Sequence, residues 1–206
     1  MPIHEGRTAN RYNPVLPFRI PFDDELVVQE MTQVLNEVFQ EAVGRPLVIV
    51  CVGTDRSTGD AFGPIIGTKL QDTTSYRHLY VHGTLDEPVH AVNLAETLET
   101  IQKQHHETPF VLALDACLGK FEHVGHLILE RGPLHPGAGV KKSLPEFGDY
   151  TLTGVVNVSG FMEYFVLQNT RLGVVMRMTE VVAESLRSSL RRWKLQSELI
   201  ETVHRA

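Results

Sequence analysis

Three short stretches, LVIVCV at 47–52, FVLALD at 110–115 and GVVNV at 154–158, are apolar at almost every position, and the first is rich in β-branched residues. A strand with one wet face alternates between apolar and polar side chains. These stretches do not, so both of their faces have to be covered, which is the situation of a strand in a parallel sheet with helices above and below. Between them the apolar period changes from two to 3.6. Val27, Met31, Val34, Leu35, Val38 and Ala42 recur at helical spacing behind the acidic opening Asp23, Asp24 and Glu25, and Gly44 and Pro46 close that segment. Residues 61–71, 93–106 and 174–195 also carry helical patterns, and HLYVHG at 78–83 and HVGHLIL at 123–129 read as further strands. Strands alternating with helices predict an α/β fold, a three-layer α/β/α sandwich around a mostly parallel, mixed sheet.

A length of 206 residues suits one such domain. Pro2, Pro14, Pro17 and Pro21 rule out regular helix or central strand near the start, so residues 1–22 are expected as an extended arm, lying across the domain or onto a partner chain. Residues 23–206 then form the single domain. The net charge of −6 argues against a nucleic-acid surface. Arg187, Arg191, Arg192 and Lys194 are expected at the end of the last helix, where cations complement the helix dipole. No apolar run approaches the roughly 20 residues that span a bilayer, and no secretory leader is legible. Cys51 and Cys117, both beside apolar runs, read as free thiols in a reducing compartment. These features predict a cytoplasmic protein.

Chemistry in open α/β sheets gathers at the carboxyl ends of the strands. The glycine-punctuated loop GTDRSTGDAFGP follows the first apolar stretch there, and it carries Asp60. Asp115 ends the second stretch. If those two strands are neighbours, both carboxyls face one crevice, as general acid–base chemistry requires. Asp60 also reads as the N-cap of the helix that follows, with Gly63 and Pro64 in its first turn. Asp115, flanked by Leu114, Ala116 and Cys117, is costly to desolvate without a chemical reason. Asp55 reads as a turn residue and Ser159 as a helix cap. No phosphate-binding, dinucleotide-binding or serine-nucleophile motif is present. None of the ten histidines falls in a zinc-ligand spacing, although His82, His90 or His135 could join the two acids around a metal. Each of those three also reads as a surface or hydrogen-bonded side chain.

The stretches GTDRSTGDAFGP, GTLDEPVHAVNL, LDACLG, HPGAGVKK and VVNVSGFMEYFVLQNTRL resemble, in that order, the YyaC-type sporulation proteins, over about residues 47–183. That family is similar to the germination protease of spore-forming bacteria and, more distantly, to the hydrogenase maturation endopeptidases. Those relatives share a three-layer α/β/α fold. The germination protease digests small acid-soluble spore proteins, with one aspartate in a T-P-D-A-L-G-P segment and another in an I-D-A-L segment. By motif, Asp60 in TGDAFGP and Asp115 in LDACL occupy those places, and PGAGVKK looks like the protease's P-G-S-G-V-G-N-K-R. Gly59 stands where the protease has proline, and Lys141 and Lys142 replace a longer G-N-K-R run.

The resemblance implies an endopeptidase-like hydrolase of the forespore or mother cell, with Asp60 and Asp115 catalytic and a protein or peptide as substrate. Thr54, Asp55, Gly59 and Gly63 in the first loop, with Gly137 and Gly139 in the long connection 132–149, are expected to bound the substrate cleft. No cofactor and no metal ligand is assigned, and homo-oligomerisation is left open. Two alternatives stand beside this reading. One is an inactive sporulation protein that binds a partner, its acids serving as caps. The other is a metal-dependent, maturation-type endopeptidase with nickel or zinc held by both acids and a histidine.

Overall fold

The apolar stretches become adjacent strands. A computed structural model describes residues 15–105, 107–136 and 144–204. Residues 1–14 of the arm, together with Gly137 and Gly139, lie outside the described residues. The strands are β1 (Phe18–Pro21), β2 (Leu47–Cys51), β3 (Leu79–His82), β4 (Phe110–Gly119), β5 (His126–Arg131) and β6 (Tyr150–Val158). They form one sheet in the order β1-β5-β6-β4-β2-β3. The pairs β3–β2, β2–β4 and β4–β6 are parallel, while β5 runs antiparallel to both β6 and β1. The sheet is therefore mixed and mostly parallel.

The helices are α1 (Val27–Val38), α2 (Phe62–Lys69), α3 (Leu94–Gln104), α4 (Glu163–Gln168) and α5 (Leu172–His204). Successive side chains on a strand point to opposite faces, and this divides the core in two. Leu47, Ile49 and Cys51 of β2 turn to the larger side, where Met31 and Leu35 of α1, Phe62 and Ile66 of α2, and Met178, Val182 and Leu186 of α5 pack on them. Val48, Val50 and Val52 turn to a smaller core with Val89, Leu94, Ile101, Ala113 and Leu134. One helix, α3, thus meets the second face, alongside Leu134 and Phe147 from the connection between β5 and β6.

The side chain that ties the larger layer together is Trp193. It is 1% exposed and its indole Nε1–H donates to the Ala42 carbonyl at 3.3 Å. Replacing Trp193 with Ala is expected to cost about 3–5 kcal/mol, since it opens a cavity and orphans that carbonyl. For a domain of this size the melting temperature should fall by roughly 10 °C in a thermal scan.

Several sequence expectations are revised. Phe18–Pro21, the end of the expected arm, is the edge strand of the sheet, pairing Phe18 with Leu129 and Pro21 with His126. An edge is where a proline-bearing strand is tolerated. The first helix starts at Val27 rather than Asp23, because Asp24 Oδ1 accepts the Leu26 N–H at 2.8 Å in a preceding turn. Helix α5 continues to His204, so Arg187, Arg191, Arg192 and Lys194 lie within it and not at its end. Arg187 reaches Asp72 and the Lys69 carbonyl, and the Lys194 ammonium sits 4.7 Å from the Tyr76 ring centre. No helix among the described residues is long and apolar enough to cross a membrane.

Candidate active site

The site is built where β2 stops and β4 does not. Their register ends at Cys51 opposite Leu114, and the Val52 N–H donates to the Leu114 carbonyl at 2.7 Å. The chain then turns away from β4: Val52 bridges Val89, and the Gly53 N–H donates to the Val89 carbonyl at 2.8 Å. The strand β4 runs on from Asp115 to Gly119, paired with β6 alone. The chain leaves β2 for β3 through α2 on one face and leaves β3 for β4 through α3 on the other. A crevice opens at such a switch in direction.

Two glycines let the loop fold back over the end of β2. A Cβ on Gly53, whose φ is +146°, would lie 2.0 Å from the Asp60 carbonyl. A Cβ on Gly63 would lie 2.1 Å from the Val52 carbonyl, so the first turn of α2 can press against the strand only without a side chain. The Thr54 N–H donates to the Asp60 carbonyl at 3.1 Å and closes the loop. These contacts hold Asp60 at the mouth of the helix.

Asp115 follows Val111 and Ala113 in the alternation along β4 and so belongs to the thinly covered face. It sits in mid-strand, not at the strand end expected from sequence, because β6 keeps pairing with β4 past the last residue of β2. Its side chain retains some accessible surface, yet protein crowds the carboxyl so closely that desolvation pushes its pKa up to about 8. The Ala116 N–H, which donates to Asp115 Oδ1 at 2.8 Å, pulls the value down, and the charge of Asp60 pushes it up. Asp60 is itself raised, first by desolvation. The nearby Ser57 hydroxyl tempers that shift from outside hydrogen-bond geometry, for this buried oxygen has no partner. The charge of Asp60 is thus felt at Asp115.

The other expected residues fare differently. Asp60 is not a side-chain cap: Ala61 precedes α2 and no side chain caps its amides. Ser159 does not cap α4 either, since its N–H and hydroxyl both donate to the Gly119 carbonyl and left-handed Met162 (φ 59°) opens the helix. Thr54 and exposed Asp55 stay at the loop surface, where the Thr54 hydroxyl approaches Asp55 Oδ1 at 3.4 Å. Gly59 and Gly63 are buried. A Cβ on Gly59 would meet Leu167 Cδ2 at 2.8 Å, so its role is to dock α4, as Gly63 docks α2. Sequence reasoning did not single out Ser57, Leu167 or Thr170, because only the fold brings α4 against this loop. Both thiols are free, and burial pushes Cys51 up to about 12 and Cys117 up to about 11, too high for either to serve as a thiolate nucleophile.

The histidines do not gather at the acids. His135 Nδ1 lies 2.9 Å from Glu146 Oε1, and burial, then the charge of His105, lowers the pKa of His82. His90 follows the Val89 carbonyl that anchors Gly53, and its Nδ1 is buried without a partner. Among the described residues no three His, Cys, Asp or Glu side chains are grouped to hold a metal ion, so no chemistry is routed through one here.

The fold is a three-layer α/β protein with a six-stranded, mostly parallel sheet, and it brings the loop that carries Asp60 to the end of β2, beside the strand that carries Asp115. The chain belongs to the family described as "Protein of unknown function (DUF1256)", whose profile matches residues 19–185. It is 52% identical over 163 residues to the uncharacterized protein YyaC of Bacillus subtilis (strain 168), covering 79% of this chain and 78% of that one. The expected likeness to YyaC-type proteins is thereby borne out. Among solved structures, the [NiFe] hydrogenase maturation protease HycI from Thermococcus kodakarensis KOD1 is similar at a TM-score of 0.45 and 17% identity, over 75% of this chain and 99% of that one.

Proposed function

We propose that this protein is an endopeptidase-like hydrolase that cleaves a protein substrate during sporulation, with Asp60 and Asp115 as its acid–base pair. The observation that carries this reading is the placement of Asp115 on the stretch of β4 that β2 leaves unpaired, beside the Asp60 loop, where desolvation first and then the charge of Asp60 push its pKa up to about 8. A buried acid of this kind weakens the fold at neutral and alkaline pH and serves no cap, which is the signature of a side chain kept for chemistry. The resemblance of TGDAFGP and LDACL to the two aspartate segments of the germination protease supports the same pair.

In this mechanism the Asp60 carboxylate takes a proton from a water molecule as its oxygen attacks the peptide carbonyl carbon. Neutral Asp115 gives its proton to the amide nitrogen as the C–N bond breaks. The products are a new carboxyl terminus and a new amine, and the proton on Asp60 returns to Asp115 or to solvent before the next cycle. General acid–base catalysis by positioned carboxyls contributes about 10²–10⁴-fold, and the rest has to come from holding the peptide in place.

The direct test is a census of protein N-termini in sporulating cells, comparing wild type with Asp60→Asn after showing that the variant folds and accumulates. Termini present in the wild type and missing in the variant would establish the peptidase and nominate its substrate. Identical sets of termini would overturn the reading. The site of action is taken as the cytoplasm of the forespore or mother cell, and fractionation of the same cells checks it.

A further inference from the structure

The β4 strand outruns β2, and that leaves an unfilled strand position inside the sheet. Along a strand, each residue turns its N–H and C=O toward one neighbour and the next residue turns them toward the other. The Leu114 carbonyl accepts from Val52, so Leu114 faces β2. Ala116 and Leu118 therefore face the same side, while Asp115, Cys117 and Gly119 face β6. The Ser159 N–H, which continues β6, donates to the Gly119 carbonyl at 2.7 Å and agrees with this assignment. The register shift between Cys117 and Leu118 skips Val156, so the extra residue is on β6 and the alternation along β4 is undisturbed.

On the open side, the Ala116 N–H is taken by Asp115 Oδ1 at 2.8 Å. Among the described residues, the Ala116 carbonyl and both backbone groups of Leu118 have no strand beside them, and residues 115–119 all keep part of their surface accessible. Unpaired strand edges are normally covered, charged or twisted away. Among the described residues, no strand covers this one.

A second observation lies beside it. The turns that leave β4 and β6 carry Phe121, 83% exposed, and Phe161, 91% exposed. They start from neighbouring points, since Ser159 is bonded to Gly119. Tyr164 and Phe165 of α4 extend the apolar surface. The backbone of α4 is fastened to the acid-bearing loop by the Gly59 N–H donating to the Leu167 carbonyl at 2.9 Å, and to β6 by Asn157 Nδ2 donating to the Val166 carbonyl at 3.3 Å. Its aromatic side chains are left outward. Exposed apolar clusters of this sort mark binding surfaces.

We propose that the open edge of β4 at Ala116 and Leu118 takes an extended segment of the substrate protein as an added strand, with the segment's apolar side chains against Phe121 and Phe161. The identity of the occupant rests on the peptidase reading, whereas the open edge does not. The position continues the line of β2 within the sheet, where the next strand beside β4 would lie, so the occupant that fits it is a single extended chain. Backbone pairing would supply affinity and the aromatic rim a preference for apolar residues. It would also hold the scissile peptide beside both acids, because Asp115 is the neighbour of Ala116.

The test uses the full chain carrying Asp115→Asn, isotope-labelled and kept from cleaving, with a pool of random apolar octapeptides as the probe. At about 1 mM, a concentration that reveals even weak binding, the pool is expected to shift the amide signals of residues 116 and 118 and to slow hydrogen exchange at Leu118. Peptides recovered from the pool are then N-methylated on alternate nitrogens in the two registers. One register should weaken binding about tenfold, for the loss of one or two hydrogen bonds, and the other should leave it unchanged. Phe161→Ala should weaken binding of apolar peptides in the same assay. No shift at residues 116 and 118, or equal effects of the two methylation registers, would overturn the proposal. The outcome is separable from the peptidase question: strand-like binding with no cleavage by the wild type would sink the enzyme and leave the edge site standing. Cleavage with register-blind binding would do the reverse.

Discussion

The Asp115→Asn variant is expected to melt higher than the wild type at pH 8, to differ little from it near pH 4, and to have lost peptide hydrolysis. The Asp115 carboxyl has a pKa pushed up to about 8 in the folded chain, against an ordinary value of about 3.9 in an unfolded one. Between those values the native state binds more protons than the unfolded state, so stability falls as pH rises. The benefit of the protonated acid is complete below about pH 4 and is lost as pH climbs through about 8. Above that, burying the ionised carboxyl costs roughly 3–5 kcal/mol, and Asn carries no such charge. The gain in melting temperature at pH 8 should reach about 10 °C. Calorimetry of both proteins from pH 4 to 8.5 reads the difference directly, and a difference that does not grow with pH would mean that Asp115 is not held neutral. The same titration bears on catalysis. Hydrolysis by the wild type should decline as pH passes about 8, where the proton donor is lost.

The second large effect belongs to a residue with no chemistry. Gly63→Ala is expected to destabilise the fold by about 3 kcal/mol or more, because its Cβ would sit 2.1 Å from the Val52 carbonyl and neither backbone can give way cheaply. Gly44→Ala is the control. Gly44 has φ +83° but nothing within 4 Å of the added carbon, so its cost is conformational only, about 1 kcal/mol. Chemical denaturation of the two variants should place Gly63→Ala far below Gly44→Ala. Similar midpoints would show that α2 can move off the strand. In that case the position of Asp60 would not depend on the close approach.

The candidate site was legible in the sequence to the extent that its parts are local. Asp60 and Asp115 could be picked out because each follows an apolar stretch and each is out of place beside the residues around it. Their roles as caps or strand ends were not legible, because those depend on where elements stop. Asp60 makes no cap because α2 begins one residue later, and Asp115 lies in mid-strand because β6 carries β4 past the end of β2. At Gly59 and Gly63 the missing side chain makes room for Leu167 and for the Val52 backbone, a partner the sequence does not name, since a glycine marks close approach without saying what approaches.

By itself, then, the sequence determined the layers. Strands apolar on both faces have to be buried between helices, and the change of period from two to 3.6 says which segments are which. The order of those strands and the lengths over which they pair arise from contacts between distant segments. From these follow the coupling of the two acids, the docking of α4 on the Asp60 loop and the open edge at Ala116 and Leu118. Burial is a property that each residue type carries with it along the chain. Pairing and electrostatic coupling depend on distances between segments some 50 residues apart, such as Asp60 and Asp115, and those distances exist only once the chain has folded.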